Sequence, residues 1–320
     1  MGRMIDGVWE REDRGRADAA GAFVRPETRF RGTIAAGGPF PPEAGRYHLY
    51  VSLACPWAHR TLILRELKGL QGIVGLSVVH WLMGGDGWTF APGEGVVPDP
   101  VMDAQCLHQL YARADPGFTG RVTVPVLWDR ATGRIVNNES AEIIRIFNSA
   151  FDGIGAAPGD YFPPALRAEI EAVNARVYAE VNNGVYRAGF ASTQEAYDAA
   201  VGTLFAALDW LEERLSRRPF LCGDQVTEAD WRLFTTLIRF DAVYHGHFKC
   251  NLRRIIDYKA LWDFTRSLYQ VPGVAATVDF RHIKRHYYMS HPWVNPTRIV
   301  PAGPLLDLTA PSSREVRLPG

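Results

Sequence analysis

The first half of the chain alternates apolar, strand-like runs with a helical stripe. The apolar run over 47–53 predicts a strand, and the segment beginning at Pro56 predicts a helix because its apolar residues recur three and four positions apart. The apolar segment 72–81 then predicts a buried strand. This β-α-β order implies parallel strands joined by a right-handed crossover.

A long insertion separates this unit from a second pair of strands. Residues 82–120 are rich in glycine and proline, with one helix predicted around 104–113, and a loop of this length inside a domain is usually functional or disordered. The following segment, "RVTVPVLWDRATGRIV", predicts a β-hairpin. A helix then opens at Glu139-Ser140, where the serine hydroxyl is placed to cap the helix N-terminus.

From about residue 164 the apolar spacing is helical. Thr227 to Asp230 follow the capping-box pattern, with aspartate in the position that glutamate or glutamine usually occupies. The fold class is therefore a mixed α/β domain followed by an all-α domain. The predicted division is an irregular N-terminal arm over 1–46, an α/β domain over 47–155 with the insertion 82–120, a helical domain over 164–290 and a C-terminal extension over 291–320. The spaced aromatic residues of "AFVRPETRF" favour docking of the arm onto the body.

Composition and charge argue against several classes of function. The 35 basic and 35 acidic residues cancel, so no net field attracts the chain to nucleic acid or to anionic membranes, and neither partner is expected. No run approaches the roughly 20 apolar residues of a membrane span. The first residues also lack the apolar core of a secretory signal. A cytoplasmic location is therefore expected.

The cysteine and histidine residues predict neither disulfides nor a metal site. The cysteines are far apart and match no zinc or ferredoxin spacing: Cys55, Cys106, Cys222 and Cys250. In a reducing cytosol these thiols are expected to stay reduced. Two histidine groups could be drawn as metal ligands, but neither has further partners at a supporting spacing: His245 and His247 with Cys250, and His282 with His286.

Cys55 is the strongest candidate for chemistry. It lies between a predicted strand and a predicted helix, directly before Pro56, where helix amides and the helix dipole favour a negative sulfur. The pKa of its thiol is therefore expected to be lowered, whereas an isolated cysteine is more often buried and inert. Ala58 stands where a thioredoxin-type site has its second cysteine, so a mixed disulfide on Cys55 must be released by an external thiol.

Two further features fit a slot for a γ-glutamyl tripeptide. At Val124-Pro125 a cis proline would turn the backbone amide and carbonyl of Val124 towards a peptide ligand. Glu139 and Ser140 at a helix start offer an acceptor for an ammonium group and donors for a carboxylate. Taken alone, the proline is at least as well explained by an edge strand, and the helix start is only a capped helix.

Several motifs together resemble those of the glutathionyl-hydroquinone reductases, the Xi class of the glutathione transferase superfamily. They include "CPWAHR", "GWTF", "TVPVLWD", "NNGVYRAGF" and "HIKRHYYMSH", and the resemblance extends over about residues 23–304. It implies a thioredoxin-like N-terminal domain, a helical C-terminal domain and a homodimer. It also implies glutathione as a co-substrate, with no tightly bound cofactor.

The resemblance assigns roles by position. Cys55 becomes the nucleophile. The implied glutathione contacts are Trp88, Arg121, Val124, Glu139 and Ser140. The aromatic substrate pocket is implied to contain Tyr186, Tyr244 and Tyr287. Of these, Tyr186 and Tyr287 are expected to be catalytic, since a phenolic hydroxyl can bind a quinol oxygen and protonate the leaving aromatic carbon. Any one of these tyrosines, taken alone, is more commonly a packed aromatic.

The resemblance thus implies glutathione-dependent reduction of glutathionyl-hydroquinones through a mixed disulfide on Cys55. One alternative is a transferase, dehalogenase or ether-cleaving enzyme of the same fold, although conjugation favours a serine or tyrosine at the position of Cys55. These enzymes differ in product, because the reductase yields oxidised glutathione and the transferase a thioether. A non-catalytic glutathione-fold binding protein is the second alternative, and it has no reason to lower a thiol pKa.

Overall fold

A computed structural model describes residues 2–11, 18, 20–23 and 27–320 of the chain. These residues form two compact units. The first, here called the sheet unit, lies within Met1–Arg14, Pro26–Pro158 and Thr277–His286. The second, here called the helical unit, lies within Gly15–Arg25, Gly159–Ala276 and Tyr287–Gly320.

The arm that was predicted to be irregular contains a β-hairpin. Strands β1 (Arg3–Ile5) and β2 (Val8–Glu10) pair in antiparallel register through a turn at Asp6 and Gly7, which both have positive φ. Strands of three residues are too short to show a hydrophobic period, although Asp-Gly is a hairpin-turn signal. Residues 1, 12–17, 19 and 24–26 of the arm lie outside the described residues.

The predicted β-α-β and β-β-α orders are confirmed. The sheet has the order β4-β3-β5-β6, with β3 parallel to β4 and antiparallel to β5, and β5 antiparallel to β6. Its strands are β3 (Tyr47–Val51), β4 (Val74–Val78), β5 (Val126–Asp129) and β6 (Arg134–Asn137). The helices of this unit are α1 (Pro56–Leu67), α2 (Leu107–Ala114) and α3 (Ser140–Ser149).

The core of the sheet unit forms around β3, which is buried along its whole length. Leu49 of β3 pairs with Leu76 of β4 on one side and with Leu127 of β5 on the other. Helices α1 and α3 pack against each other and fully bury Ile63 and Ile143. Burial of such apolar side chains, at about 1.5–3 kcal/mol each, is what holds the strand-to-helix junctions in place.

The insertion 82–120 is ordered by a buried aspartate. Asp99 accepts hydrogen bonds from the Tyr50 hydroxyl of β3 at 2.7 Å and from the backbone amides of Val101 and Ala104 at 2.9 and 3.1 Å. The helix predicted within the insertion is α2. The insertion is therefore part of the packed unit.

The cap of α3 differs from the prediction. The Glu139 carboxylate, not the Ser140 hydroxyl, accepts the hydrogen bond of a first-turn amide, that of Ala141 at 3.1 Å. Glu139 has the extended backbone that a capping residue adopts, whereas Ser140 is already the first helical residue.

The second part of the chain is helical, as predicted. Its helices are α4 (Arg167–Arg176), α5 (Gly184–Gly189), α6 (Gln194–Arg217), α7 (Glu228–Arg239) and α8 (Lys259–Tyr269). Two π-helical segments, Val177–Asn182 and Phe240–Tyr244, follow α4 and α7. Among the described residues, no helix combines the length and the apolar character needed to cross a bilayer.

Helix α9 (Phe280–Ser290) contributes residues up to His286 to the sheet unit and residues from Tyr287 onwards to the helical unit. This division differs from the predicted helical domain of 164–290. The difference arises because the residues before α9 pack within the sheet unit, where the Thr277 hydroxyl lies 2.8 Å from Nε2 of His59.

The predicted capping box at the start of α7 is confirmed. Asp230 is fully buried, and its Oδ2 accepts hydrogen bonds from the Thr227 amide at 2.8 Å and the Thr227 hydroxyl at 3.0 Å. Its Oδ1 accepts a third bond, from the Leu221 amide at 2.8 Å. The aspartate thus joins the helix start to the preceding loop.

Asp230 should make the stability of the helical unit dependent on pH. Burial raises the pKa of Asp230 to about 6, above the value of about 3.9 in an unfolded chain. The native state therefore binds the Asp230 proton more tightly than the unfolded chain does. The contribution of this proton to the free energy of unfolding is fully present below about pH 4 and is lost as the pH rises through about 6. Between pH 4 and 7 we expect the unfolding free energy of wild type to fall by about 2 kcal/mol relative to Asp230→Asn.

Urea denaturation at the two pH values measures this difference. Asp224→Asn is the matched control, because Asp224 is an exposed aspartate in the same loop. It should keep the pH dependence of wild type. Parallel pH profiles for wild type and Asp230→Asn would contradict the prediction.

Candidate functional site

Cys55 lies where β3 leads into α1. It is the residue before the first helical turn, with an extended backbone at φ −77° and ψ 121°, and its side chain is half-buried. Its thiol donates a hydrogen bond of 3.6 Å to the backbone carbonyl of Val124. Ala58, on the first turn of α1, is fully buried. The sulfur therefore lies at the positive end of the α1 dipole, which favours an anion.

The Val124-Pro125 peptide bond is cis. Val124 is buried, and its carbonyl oxygen, which was expected to face a peptide ligand, accepts the hydrogen bond of the Cys55 thiol. The structure thus brings together two of the residues that the sequence singled out. Val124 therefore lies beside the candidate nucleophile.

Glu139 and Ser140 lie at the N-terminus of α3. The carboxylate of Glu139 lies within 3.4 Å of the Ser140 hydroxyl and of the Thr28 hydroxyl. Arg60 donates a hydrogen bond of 3.3 Å to the Ser140 oxygen, and its guanidinium lies 4.6 Å from the centre of the Trp57 ring. This corner combines a carboxylate, a hydroxyl, a buried cation and a helix N-terminus, and such a set can bind an amino acid by both its charged groups.

Arg60 is a site residue whose role the sequence did not reveal. It is 1% exposed, and it lies five residues after Cys55 in the chain. A buried guanidinium is costly unless its donors have hydrogen-bond partners, and Ser140 is one such partner. The hydrogen bond between them helps to fix the positions of both side chains. The only sequence signal was its place in the "CPWAHR" motif.

Tyr111 of α2 is a second residue that the sequence did not reveal. Its hydroxyl donates to the Thr123 carbonyl at 2.9 Å and accepts from the Asn138 side-chain amide at 3.1 Å. Thr123 precedes Val124 and Asn138 precedes Glu139, so one hydroxyl holds both segments of the candidate slot. The sequence feature that could have identified Tyr111 is its place on the apolar face of the insertion helix. A tyrosine buried there needs a polar partner for its hydroxyl.

Trp88 is placed by α9. It is 6% exposed and stacks on the His286 ring with centroids 4.8 Å apart and an interplanar angle of 24°. His286 in turn lies with Nδ1 2.9 Å from the Trp81 carbonyl, so Nδ1 carries a proton and donates it. Arg121 is half-buried at the end of the insertion. The Trp88 ring thus packs on α9, and the Trp88 carbonyl accepts a hydrogen bond of 2.8 Å from the Leu107 amide at the start of α2.

The histidines considered as metal ligands contact other protein groups. His247 Nε2 lies 3.1 Å from His291 Nδ1, and the two rings stack at 5.3 Å. His282 Nε2 lies 2.6 Å from the Glu94 carbonyl. Across the described ranges, no three His, Cys, Asp or Glu side chains are grouped to hold a metal ion.

Three tyrosine hydroxyls meet in the helical unit. The Tyr287 hydroxyl lies 2.5 Å from that of Tyr186 and 3.1 Å from that of Tyr244. Tyr186 lies on α5, Tyr244 ends the π-helical segment after α7, and Tyr287 lies on α9. The structure therefore brings together all three residues of the implied aromatic pocket, here called the tyrosine trio.

The tyrosine trio is strongly desolvated. Burial raises the pKa of Tyr244 and of Tyr287 well above the ordinary value of tyrosine. The positive charge of Arg239, which is fully buried at the end of α7, opposes this rise for both residues. The two hydroxyls are therefore protonated at neutral pH and can donate hydrogen bonds. Arg239 was not identified from the sequence, since charged helical residues are usually exposed.

Comparison with known proteins places both units in one family. The family models for the glutathione S-transferase N-terminal and C-terminal domains match residues 54–150 and 194–267. The chain is 58% identical to glutathionyl-hydroquinone reductase PcpF of Sphingobium chlorophenolicum, over 96% of this chain and 98% of PcpF. It is 52% identical to glutathionyl-hydroquinone reductase YqjG of Escherichia coli strain K12, over 99% of each.

Solved structures agree with these matches. A Xi-class glutathione transferase from Natrialba magadii is 48% identical, with a TM-score of 0.92 over 98% of this chain and 96% of that one. The glutathione-bound structure of YqjG is 53% identical, with a TM-score of 0.88 over 98% and 99%. The expected fold, a thioredoxin-like N-terminal domain and a helical C-terminal domain, is confirmed. The chain therefore belongs to the glutathionyl-hydroquinone reductases, the Xi class of the glutathione transferase family.

Proposed function

We propose that this enzyme reduces glutathionyl-hydroquinones to hydroquinones, with glutathione as the reductant. The observation that carries the proposal is the Cys55 thiol at the N-terminus of α1, 3.6 Å from the Val124 carbonyl and without a second cysteine at position 58. Relatives named for this reaction and a glutathione-bound relative support it. We also propose that the aromatic product is a hydroquinone and that the enzyme is a homodimer.

The reaction has two steps, and in each of them a thiolate attacks a sulfur atom. In the first, the Cys55 thiolate attacks the glutathione sulfur of the substrate, so a disulfide forms and the bond from sulfur to the aromatic carbon breaks. The electron pair of that bond stays on the aromatic carbon, which takes a proton and leaves as hydroquinone. In the second, a glutathione thiolate attacks the mixed disulfide and releases oxidised glutathione and the Cys55 thiolate. Neither of these steps requires a metal or a bound cofactor.

The sheet unit offers the groups that a glutathionyl moiety requires. Glu139 is proposed to bind the ammonium group of the γ-glutamyl residue. The Ser140 hydroxyl, which accepts a hydrogen bond from Arg60, is proposed to bind the carboxylate of the same residue. The backbone of Val124 is proposed to pair with the cysteinyl residue, beside Cys55. Arg121 and Trp88 are proposed to contact the glycyl end and the flank of the tripeptide.

The tyrosine trio is proposed to bind the hydroquinone. Its hydroxyls can donate to the quinol oxygens, and Tyr186 or Tyr287 can supply the proton that the leaving aromatic carbon takes. The high pKa of Tyr287 keeps this proton on the hydroxyl until the carbon becomes basic. A conjugating transferase would not use this proton donation, because it forms a bond from sulfur to carbon.

Exposure to a glutathionyl-hydroquinone should place one glutathione on Cys55, detected by mass spectrometry as an adduct that reducing agents remove. Cys55→Ala should lower the rate of hydroquinone formation by at least about 10³-fold, since loss of a covalent nucleophile removes the pathway. Cys106→Ala is the matched control, because Cys106 is also a half-buried cysteine directly before a helix, and it should retain activity. Full activity in Cys55→Ala, or a thioether as the product, would refute the mechanism.

The pKa of the Cys55 thiol should lie below the value of about 8.5 found for free cysteine. The helix dipole of α1 favours the thiolate, whereas burial raises the pKa of Cys106. Iodoacetamide labelling across pH, followed for each cysteine by peptide mass spectrometry, gives both titrations. A titration of Cys55 at or above that of Cys106 is the result that would count against an activated nucleophile.

Tyr287→Phe should slow only the first step. Loss of the proton donor is expected to lower the rate of Cys55 glutathionylation by substrate by about 10²-fold, the lower range for general acid catalysis. Release of a preformed mixed disulfide by glutathione should be unchanged. Single-turnover kinetics separates the two steps, with Tyr288→Phe as the neighbouring control. Equal losses in both steps would show that Tyr287 is not the proton donor.

A further inference from the structure

The N-terminal hairpin, β1 and β2, packs on the insertion 82–120. On one side it pairs with the end of the insertion, because Met4 and Gly120 exchange two backbone hydrogen bonds of 2.8 and 3.0 Å. The Asp6 amide donates to the Thr119 hydroxyl at 2.8 Å. These contacts hold the residues that directly precede Arg121.

On its other side the hairpin holds the start of the insertion. The Trp9 indole N–H donates to the Gly85 carbonyl at 2.9 Å. Gly87, at φ +69°, approaches the Trp9 ring so closely that a Cβ there would lie 2.9 Å from it. Since Trp88 follows at once, Trp9 fixes the backbone that carries this residue.

Trp9 also contacts helix α2. Its ring stacks on the His108 ring with centroids 4.8 Å apart and an interplanar angle of 11°. The same helix carries Tyr111, whose hydroxyl holds Thr123 and Asn138. The hairpin therefore contacts three segments of the sheet unit, and each of them leads to residues assigned to glutathione.

We propose that the N-terminal hairpin is a positioning element for glutathione, in which Trp9 and the pairing of Met4 and Asp6 with Gly120 and Thr119 hold the binding residues in their bound arrangement. This inference rests on the proposed function. A site whose loops are already ordered loses less entropy when it binds, so the hairpin contributes affinity without touching the ligand. Trp9 and Thr119 are thus positioning residues.

Calorimetry of glutathione binding in a Cys55→Ser background tests the proposal, because no mixed disulfide can form there. Trp9→Ala should raise the Kd about tenfold, which corresponds to about 1.4 kcal/mol. Trp9→Phe keeps a ring to stack on His108 and should recover part of the affinity. Thr119→Val removes the hydroxyl that binds Asp6 and should weaken binding independently of Trp9.

Val8→Thr is the matched control, since Val8 is 62% exposed on the same hairpin, and it should bind as the reference does. With Cys55 present, Trp9→Ala should raise the KM for glutathione and leave kcat at saturating glutathione unchanged. Folded Trp9→Ala and Thr119→Val proteins with a lower Tm but an unchanged Kd would overturn the positioning role. If wild type forms the Cys55 adduct in that case, the proposed function stands; a wild type without the adduct would overturn both.

Discussion

The hydroxyl group of Tyr111 is the contact on which the candidate glutathione site depends. It binds both Thr123, which precedes Val124, and Asn138, which precedes Glu139, although the two pairs are distant in sequence. Because Tyr111 is fully buried, water cannot replace these bonds, and the two segments keep one spacing. The insertion that carries Tyr111 therefore helps to hold these residues in place, and the hairpin packs on that insertion.

Each unit contains a buried arginine beside candidate site residues. Arg60 in the sheet unit holds the hydroxyl of Ser140, and Arg239 in the helical unit lowers the cost of negative charge on Tyr244 and Tyr287. A buried cation is expensive for stability and tends to mark a functional site. Their presence fits chemistry that passes through a thiolate and an electron-rich aromatic carbon.

The sequence predicted the parts of this structure that a local pattern encodes. The order of strands, the helix after Cys55 and the capping box at Asp230 follow from periodicity and cap chemistry. The cap at Glu139 was assigned to Ser140 because two adjacent polar residues look alike until the backbone shows which one is helical. The hairpin was missed because its strands are short, and the buried arginines because burial is set by tertiary packing. The tyrosine trio was reached only through the family resemblance.

Ala58 has a consequence for how the proposed cycle responds to its surroundings. An internal second cysteine would attack at a fixed effective concentration, whatever the composition of the solution. Ala58, fully buried on α1, leaves that attack to a free molecule, so the release step is second order. The turnover of the enzyme then rises and falls with the ambient thiol pool, and Cys55 accumulates as the mixed disulfide when that pool is depleted.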